Sequence, residues 1–199
     1  ILTKLAGLGD IRNVGSGNIG ATNVLRAGGK KLALLTLSFD ALKGVVAVMI
    51  GNHYNPTLGM VAGAAALLGH SYPIWLKYKG GKGVATGFGI SCAINLPVGL
   101  AIGFTWTLVF FMVRYSSVAA LSAAALAPFY GWLLGDINLL YFYLFISSFV
   151  IWRHRVNIKR LLNGTEPAFS FGSSKSPSPT SADTPPSPPQ AADDTTKSE

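Results

Sequence analysis

The sequence predicts an all-α, polytopic transmembrane helix bundle followed by a disordered tail, and three observations predict it. Half of the 199 residues are hydrophobic and only 12% are charged, against roughly 25% charged in soluble domains. The mean hydropathy is +0.42. Six apolar stretches, at about 32–51, 57–76, 84–95, 97–113, 117–134 and 138–152, are separated by short polar or basic segments. A chain this poor in charge cannot cover an ordinary water-facing surface. That argues against a large soluble α/β enzyme, and against a nucleic-acid binder despite the net charge of +8.

The six stretches are rich in Ala, Leu, Val, Phe and Gly, and none alternates cleanly over its length, so they read as helices rather than barrel strands. The first carries Asp40 and Lys43 at i, i+3. Intramembrane charges are costly and face the bundle interior, so these two are expected to pair with each other in a structural role. The third and fourth stretches are separated by Asn95-Leu96-Pro97, which reads as a hairpin turn. The shorter stretches fall below the usual span of ~17–25 residues. Either their ends extend into neighbouring residues or the other helices shelter them.

Loop charge sets the expected topology. Lys30 and Lys31, then Lys77, Lys79 and Lys82, then Arg114, then Arg153, Arg155, Lys159 and Arg160 fall on alternate connections. The connections between them, Gly51–Pro56, Asn95–Pro97 and Gly135–Asn138, contain no Lys or Arg. Six crossings with every basic loop on the cytoplasmic side satisfy the positive-inside rule. Residues 1–166 hold 14 Lys and Arg and only four acids, Asp10, Asp40, Asp136 and Glu166. Such a balance suits anionic headgroups or anionic substrates.

Residues 1–166 are therefore expected to form the membrane domain and residues 167–199 the tail. The tail contains seven of the 11 prolines and almost no large apolar residues after Phe171, so it cannot bury a core. Cys92 is the only cysteine, which excludes an intrachain disulfide and a thiol metal cluster. Three histidines and few carboxylates make a metal site improbable. The first residue is Ile, and no signal-peptide pattern opens the chain.

Three polar segments on the basic side hold the candidate chemistry. In Gly15-Ser16-Gly17-Asn18-Ile19-Gly20-Ala21-Thr22-Asn23-Val24-Leu25-Arg26 the glycines let backbone N–H groups approach an anion, and a following helix start adds a positive dipole end. Ser16, Thr22 and Asn23 offer neutral donors, and Arg26 offers a fork matched to phosphate. The segment also mimics a G-x-G-x-x-G dinucleotide fingerprint, but no strand precedes it. The second segment, His70-Ser71-Tyr72-Pro73 followed by Lys79-Gly80-Gly81-Lys82-Gly83-Val84-Ala85-Thr86, places Lys82 between glycines at a helix start, a phosphate cradle without Walker spacing. In the third, Arg153–Glu166, His154 and Asn157 share a helix face. His154 is a candidate proton acceptor or phosphate donor. Glu166 is the one acid there and is expected to pair with a neighbouring base.

Together these segments, with Asp40-Ala41-Leu42-Lys43-Gly44, resemble the bacterial acyl-phosphate:glycerol-3-phosphate acyltransferase family over about residues 9–166. The resemblance implies a seven-helix bundle in the bacterial inner membrane, with a cytoplasmic-facing site. The six stretches here are one short of seven, so a helix upstream of Ile1 is expected to be missing. The implied reaction moves a fatty acyl group from acyl phosphate to the 1-hydroxyl of glycerol 3-phosphate, giving lysophosphatidate and inorganic phosphate, without a cofactor or metal. The enzyme that makes acyl phosphate becomes an expected partner, beside membrane lipid and the two substrates. By the same resemblance Ser16, Thr22, Arg26 and Ser117 bind phosphate, with Ser116 a close rival to Ser117. Lys82, His154 and Asn157 are catalytic, and Glu166 is structural. The base is left between His154 and a substrate phosphate. The alternative reading is a transporter for an organic phosphate anion, which the basic cavity suits equally.

Overall fold

The computed structural model describes residues 3, 6–7, 9–13 and 15–169. Among them the secondary structure is helical throughout. After a 3-10 turn at Ile11–Asn13 come α1 (Ala21–Asn52), α2 (Pro56–Ser71), α3 (Val84–Ile94), α4 (Leu96–Val113), α5 (Ser116–Leu134), α6 (Ile137–Arg153) and α7 (Arg155–Leu162), with a second 3-10 turn at Ile74–Leu76. All six apolar stretches lie in helices. The second is shorter than expected, because Pro73 cannot continue the ladder and the chain leaves α2 at Ser71.

Each boundary has a local cause. Asn55 and Asn95 cap α2 and α4 by accepting the N–H of Leu58 and Val98, each with a Pro in the first turn. Asp136 caps α6 through Asn138 and Leu139. Asn95 ends α3 and starts α4, so the expected hairpin turns on a single residue; a Cβ on Gly99 would press on Cys92 across it. Inside α1, Gly29 adopts φ 81° and ψ 172°, which breaks α1 into a short N-terminal piece and a long apolar one.

Gly29–Asn52, Leu96–Val113 and Ser116–Leu134 are each long and apolar enough to cross a membrane unaided. α3 has 11 residues, so it rises only ~16 Å against a hydrocarbon core of ~30 Å. Its ends do not extend. Neighbours shelter it, and Thr86, Gly89, Ile90 and Ser91 are buried. Gly44 and Gly89 let α1 and α3 touch backbone to backbone: a Cβ on Gly44 would lie 2.6 Å from the Thr86 carbonyl, and one on Gly89 would strike Ala41. Val48, Leu67, Ile90, Ala124, Ile146 and Val150 fill the core, and a second cluster of Val98, Ala127, Leu139 and Tyr143 lies beside it. Outward faces stay apolar, with Leu34, Phe104 and Met112 exposed, as a lipid-facing surface requires.

The helices alternate in direction, which brings the starts of α1, α3 and α5 to the same end as the finishes of α2, α4 and α6. Thr22 Oγ1 and Ser116 Oγ lie 3.1 Å apart at that end. At the opposite end Asn95 Nδ2 donates to the Leu134 carbonyl at 3.2 Å. Pro167–Phe169, assigned by composition to the tail, are tied to the helices instead. Arg26 donates to the Pro167 carbonyl at 3.1 Å, and the Phe169 N–H donates to the Arg114 carbonyl at 2.8 Å. The Phe169 ring packs on Phe110, an apolar contact that holds these three residues to the bundle. The rest of the expected tail, from Ser170, lies outside the described residues.

Candidate active site

The first polar segment is folded by Asn23. This buried side chain accepts the Ser16 N–H at 2.9 Å and donates to the carbonyls of Ile11 at 3.1 Å and Asn18 at 2.8 Å. The amide that sequence reasoning offered to an anion is thus committed to the turn. Gly15, at φ 58°, lies against Asn23 and the stem of Arg26, where any side chain would collide. Ser16 therefore sits in a turn fastened to the helix that carries Arg26. Burial draws the Arg26 guanidinium below its ordinary pKa, and the charge of Glu166 opposes that.

The second segment is held from two sides. The Gly80 N–H donates to the Ser71 carbonyl at 3.1 Å and the Gly81 N–H to the His70 carbonyl at 3.2 Å. Arg153, at the end of α6, donates to three carbonyls, those of Gly81 at 2.9 Å, Gly80 at 3.2 Å and Ser71 at 3.4 Å, and its guanidinium lies over the Tyr72 ring at 5.0 Å. A Cβ on Gly81 would run into the His70 ring, so the turn can pass only as glycine. His70 in turn lies 3.5 Å from Asp40, and Lys43 pairs with Asp40 at 2.6 Å. The expected Asp40–Lys43 pair forms, and it also braces the histidine behind the turn. Neither Arg153 nor His70 was singled out by sequence reasoning. The recognition of a backbone carbonyl by a cation leaves no spacing in a sequence.

Lys82 follows this turn, with Gly83 at φ 84° starting α3. Burial lowers the Lys82 pKa to about 8; Glu166 opposes the shift, while Arg160, Arg153 and Arg26 add to it. Arg153 joins the third segment to the second through the Gly80 and Gly81 carbonyls, and Arg26 joins the first to the residues just after Glu166 through the Pro167 carbonyl. His154 belongs to the same group. It is buried, and its pKa is pushed down to about 4 first by burial and then by the charges of Lys82 and Arg153. Its Nδ1 lies 2.8 Å from the Val150 carbonyl. A carbonyl only accepts, so Nδ1 carries the proton and Nε2 holds the free lone pair.

Asn157 donates to Glu166 Oε1 at 2.6 Å, and Glu166 Oε2 lies 3.3 Å from Arg160. Glu166 thus ties the end of the segment back onto α7. The Asn157 Oδ1 and the Ser117 Oγ are buried and have no partner within the described residues. Ser116, the rival, is engaged with Thr22. No group of three or more His, Cys, Asp or Glu able to hold a metal occurs among the described residues.

At one end of the bundle, then, half-buried cations outnumber carboxylates and buried polar atoms lack partners. The family model described as Glycerol-3-phosphate acyltransferase matches residues 1–164. A glycerol-3-phosphate acyltransferase of Caulobacter vibrioides is 52% identical over 171 residues, covering 84% of this chain and 78% of that protein. One from Brucella anthropi is 48% identical over 166 residues, covering 83% of each. Crystal structures of PlsY, described as an integral membrane glycerol 3-phosphate acyltransferase, superpose with TM-scores of 0.79 for the glycerol 3-phosphate form and 0.77 for the lysophosphatidic acid form. They are 40% and 37% identical to this chain, and each match covers 85% of it and 88% of the PlsY chain.

Proposed function

The chain belongs to the glycerol-3-phosphate acyltransferase family, and from that premise we propose how its basic cluster works. The protein is an integral membrane enzyme that transfers an acyl group to glycerol 3-phosphate in phospholipid synthesis. Its relatives are named for that transfer, which selects the enzyme over the anion transporter. The proposal concerns the donor, the position acylated, the residues and the orientation.

The donor is a fatty acyl phosphate and the acceptor is the 1-hydroxyl. The single observation that carries this reading is the half-buried Lys82 on the glycine turn that Arg153 holds, where Arg160, Arg153 and Arg26 add like charge and Glu166 the opposing one. One phosphate leaves such a group of cations undercompensated; two phosphates balance it. Arg26, with Ser16 and Thr22, holds one phosphate, and Lys82 holds the other. Ser117 and Asn157 orient the acceptor through their unpartnered oxygens. Arg153 keeps the Gly80–Gly83 turn in place, so that Lys82 and His154 stand at a fixed separation.

The hydroxyl oxygen attacks the acyl carbonyl carbon. A carbon–oxygen ester bond forms, the bond from the acyl carbon to the phosphate oxygen breaks, and its electron pair leaves with inorganic phosphate. The hydroxyl proton passes to a phosphate oxygen. His154 is a poor acceptor for it, since a base of pKa about 4 is far from matched to neutral pH. Its Nε2 lone pair instead receives the hydroxyl hydrogen bond and aligns the nucleophile. An acyl phosphate is already activated, so alignment and charge neutralisation supply the catalysis. The basic end faces the cytoplasm of a bacterial inner membrane, as the loop charges favour. The enzyme that makes acyl phosphate is the expected partner.

The test uses membranes holding the full chain, labelled glycerol 3-phosphate and either a synthetic acyl phosphate or an acyl thioester. Labelled lysophosphatidate with equal release of phosphate, from acyl phosphate alone, is the expected result. Equal use of the thioester would overturn the donor assignment.

A further inference from the structure

Beside the catalytic cluster lies a depression of about 500 Å³, within the usual ~300–1,000 Å³ of ligand pockets. Tyr72, Lys79, Gly80, Trp152, Arg153 and Arg155 form most of its wall. Arg26, Lys82 and His154 do not line it. Its charge is one-sided. Arg12 also reaches it, but its charge is met by Asp10. Arg153 is bound to carbonyls and stacked on Tyr72, and Arg155 lies over the Trp152 ring at 4.6 Å. Among the described residues Lys79 and Arg155 have no carboxylate partner, so about two positive charges face one cavity uncompensated, beside the Arg153 already counted with the catalytic cluster.

The rim is aromatic: Tyr78 and Trp152 belong to the wall and are exposed. Aromatic side chains of this kind seek the boundary between headgroups and acyl chains. A basic hollow inside such a rim selects an anion at headgroup level. A phosphomonoester carries about −1.5 to −2 at neutral pH, whereas a phosphodiester carries a single charge, so the monoester answers the Lys79 and Arg155 pair better.

We propose that this depression is a second phosphomonoester site, separate from the catalytic cluster and reading the headgroup chemistry of phosphatidate or of free phosphate. It stands whether or not the donor assignment above is right, because none of its evidence involves acyl transfer. Its wall includes Arg153 and Gly80, so an occupant touches the same residues that hold the Lys82 turn.

Native mass spectrometry of the full chain in detergent tests it, with phosphatidate and phosphatidylglycerol as probes and inorganic phosphate as competitor. A Lys82→Ala background weakens phosphate binding in the catalytic cluster. In that background phosphatidate is retained over phosphatidylglycerol. Lys79→Gln and Arg155→Gln each reduce retention about fivefold, the worth of one basic residue facing an anionic headgroup. Displacement by inorganic phosphate identifies a site for the phosphate group alone, and resistance to it identifies a lipid site. Both side chains are exposed, so unchanged melting midpoints show that the variants fold. Equal retention of the two lipids, no effect of either glutamine, or loss on Lys82→Ala alone would each overturn the proposal.

Discussion

Arg153 donates to the Gly81 carbonyl at 2.9 Å and so ties the end of α6 to the turn that presents Lys82. His154 is the next residue along the chain. One side chain therefore sets the distance between a cation of the second segment and the imidazole of the third. The arrangement explains how residues 72 positions apart in sequence meet in a bundle that has no sheet to align them.

Arg153→Lys tests that role. A lysine keeps the charge but lacks the planar guanidinium that lies over Tyr72 and sets Nη2 on the three carbonyls, so the turn loosens while the charge remains. We expect kcat/KM for glycerol 3-phosphate to fall by about tenfold with a smaller change in kcat, as when shared ground-state binding is removed. Arg153→Met should fall further. Near-wild-type values in Arg153→Lys with a loss in Arg153→Met alone would make charge, and not geometry, the contribution of Arg153.

Lys82 predicts opposite trends of activity and stability with pH. Its folded pKa of about 8 lies below the ordinary value of 10.5. The ammonium that holds phosphate is lost as pH rises through about 8, so kcat/KM falls there. Between about 8 and 10.5 the unfolded chain binds more protons than the folded one, and stability contributed by this group rises with pH. Lys82→Arg should remove the alkaline limb of the activity profile. A limb unchanged in Lys82→Arg would assign it to another group.

His154 separates two accounts of proton transfer. With the proton delivered to phosphate, His154→Gln slows turnover but leaves the acid limb of the kcat profile where it was. Disappearance of that limb would restore histidine as the base. The same variant should lessen acid destabilisation between about pH 6.5 and 4, because a group with a depressed pKa must charge in a buried place as pH falls.

The Glu166 carboxylate bonds Asn157 and pairs with Arg160 in a largely buried site. Glu166→Ala leaves Arg160 and Asn157 without it, a change of about 2 kcal/mol for losing a hydrogen bond to a charged group. Thermal melting in detergent should show a clear drop, with Glu166→Gln milder because it keeps the Asn157 hydrogen bond. Melting curves that coincide with wild type would place the segment's hold elsewhere.

Much of this was legible in the sequence. Glycine-spaced cations at helix starts and alternating loop charge have physical signatures of spacing and periodicity. They pointed to Arg26, Lys82 and His154 in one basic layer, the arrangement on which the proposed mechanism rests. The Asp40–Lys43 pair was legible because intramembrane charges need partners. What escaped was set by tertiary approach. Asn23 looked like a free donor because nothing local reveals that Ile11 and Asn18 carbonyls converge on it. Pro167–Phe169 looked like tail because their composition is that of the tail, and only Phe110, Arg26 and Arg114 give them a place. The Gly29 break was hidden because Gly is common in membrane helices and need not bend them.

If cations from distant segments neutralise two phosphates at one site, each of them must matter to turnover. The most direct measurement is therefore the rate with acyl phosphate and labelled glycerol 3-phosphate in Arg26→Ala and Lys82→Ala, with folding checked by melting. Decreases of more than about tenfold in each variant, at unchanged melting, are predicted, since a charge-assisted hydrogen bond to the transition state contributes at least that much. Wild-type turnover in either variant would contradict the shared neutralisation.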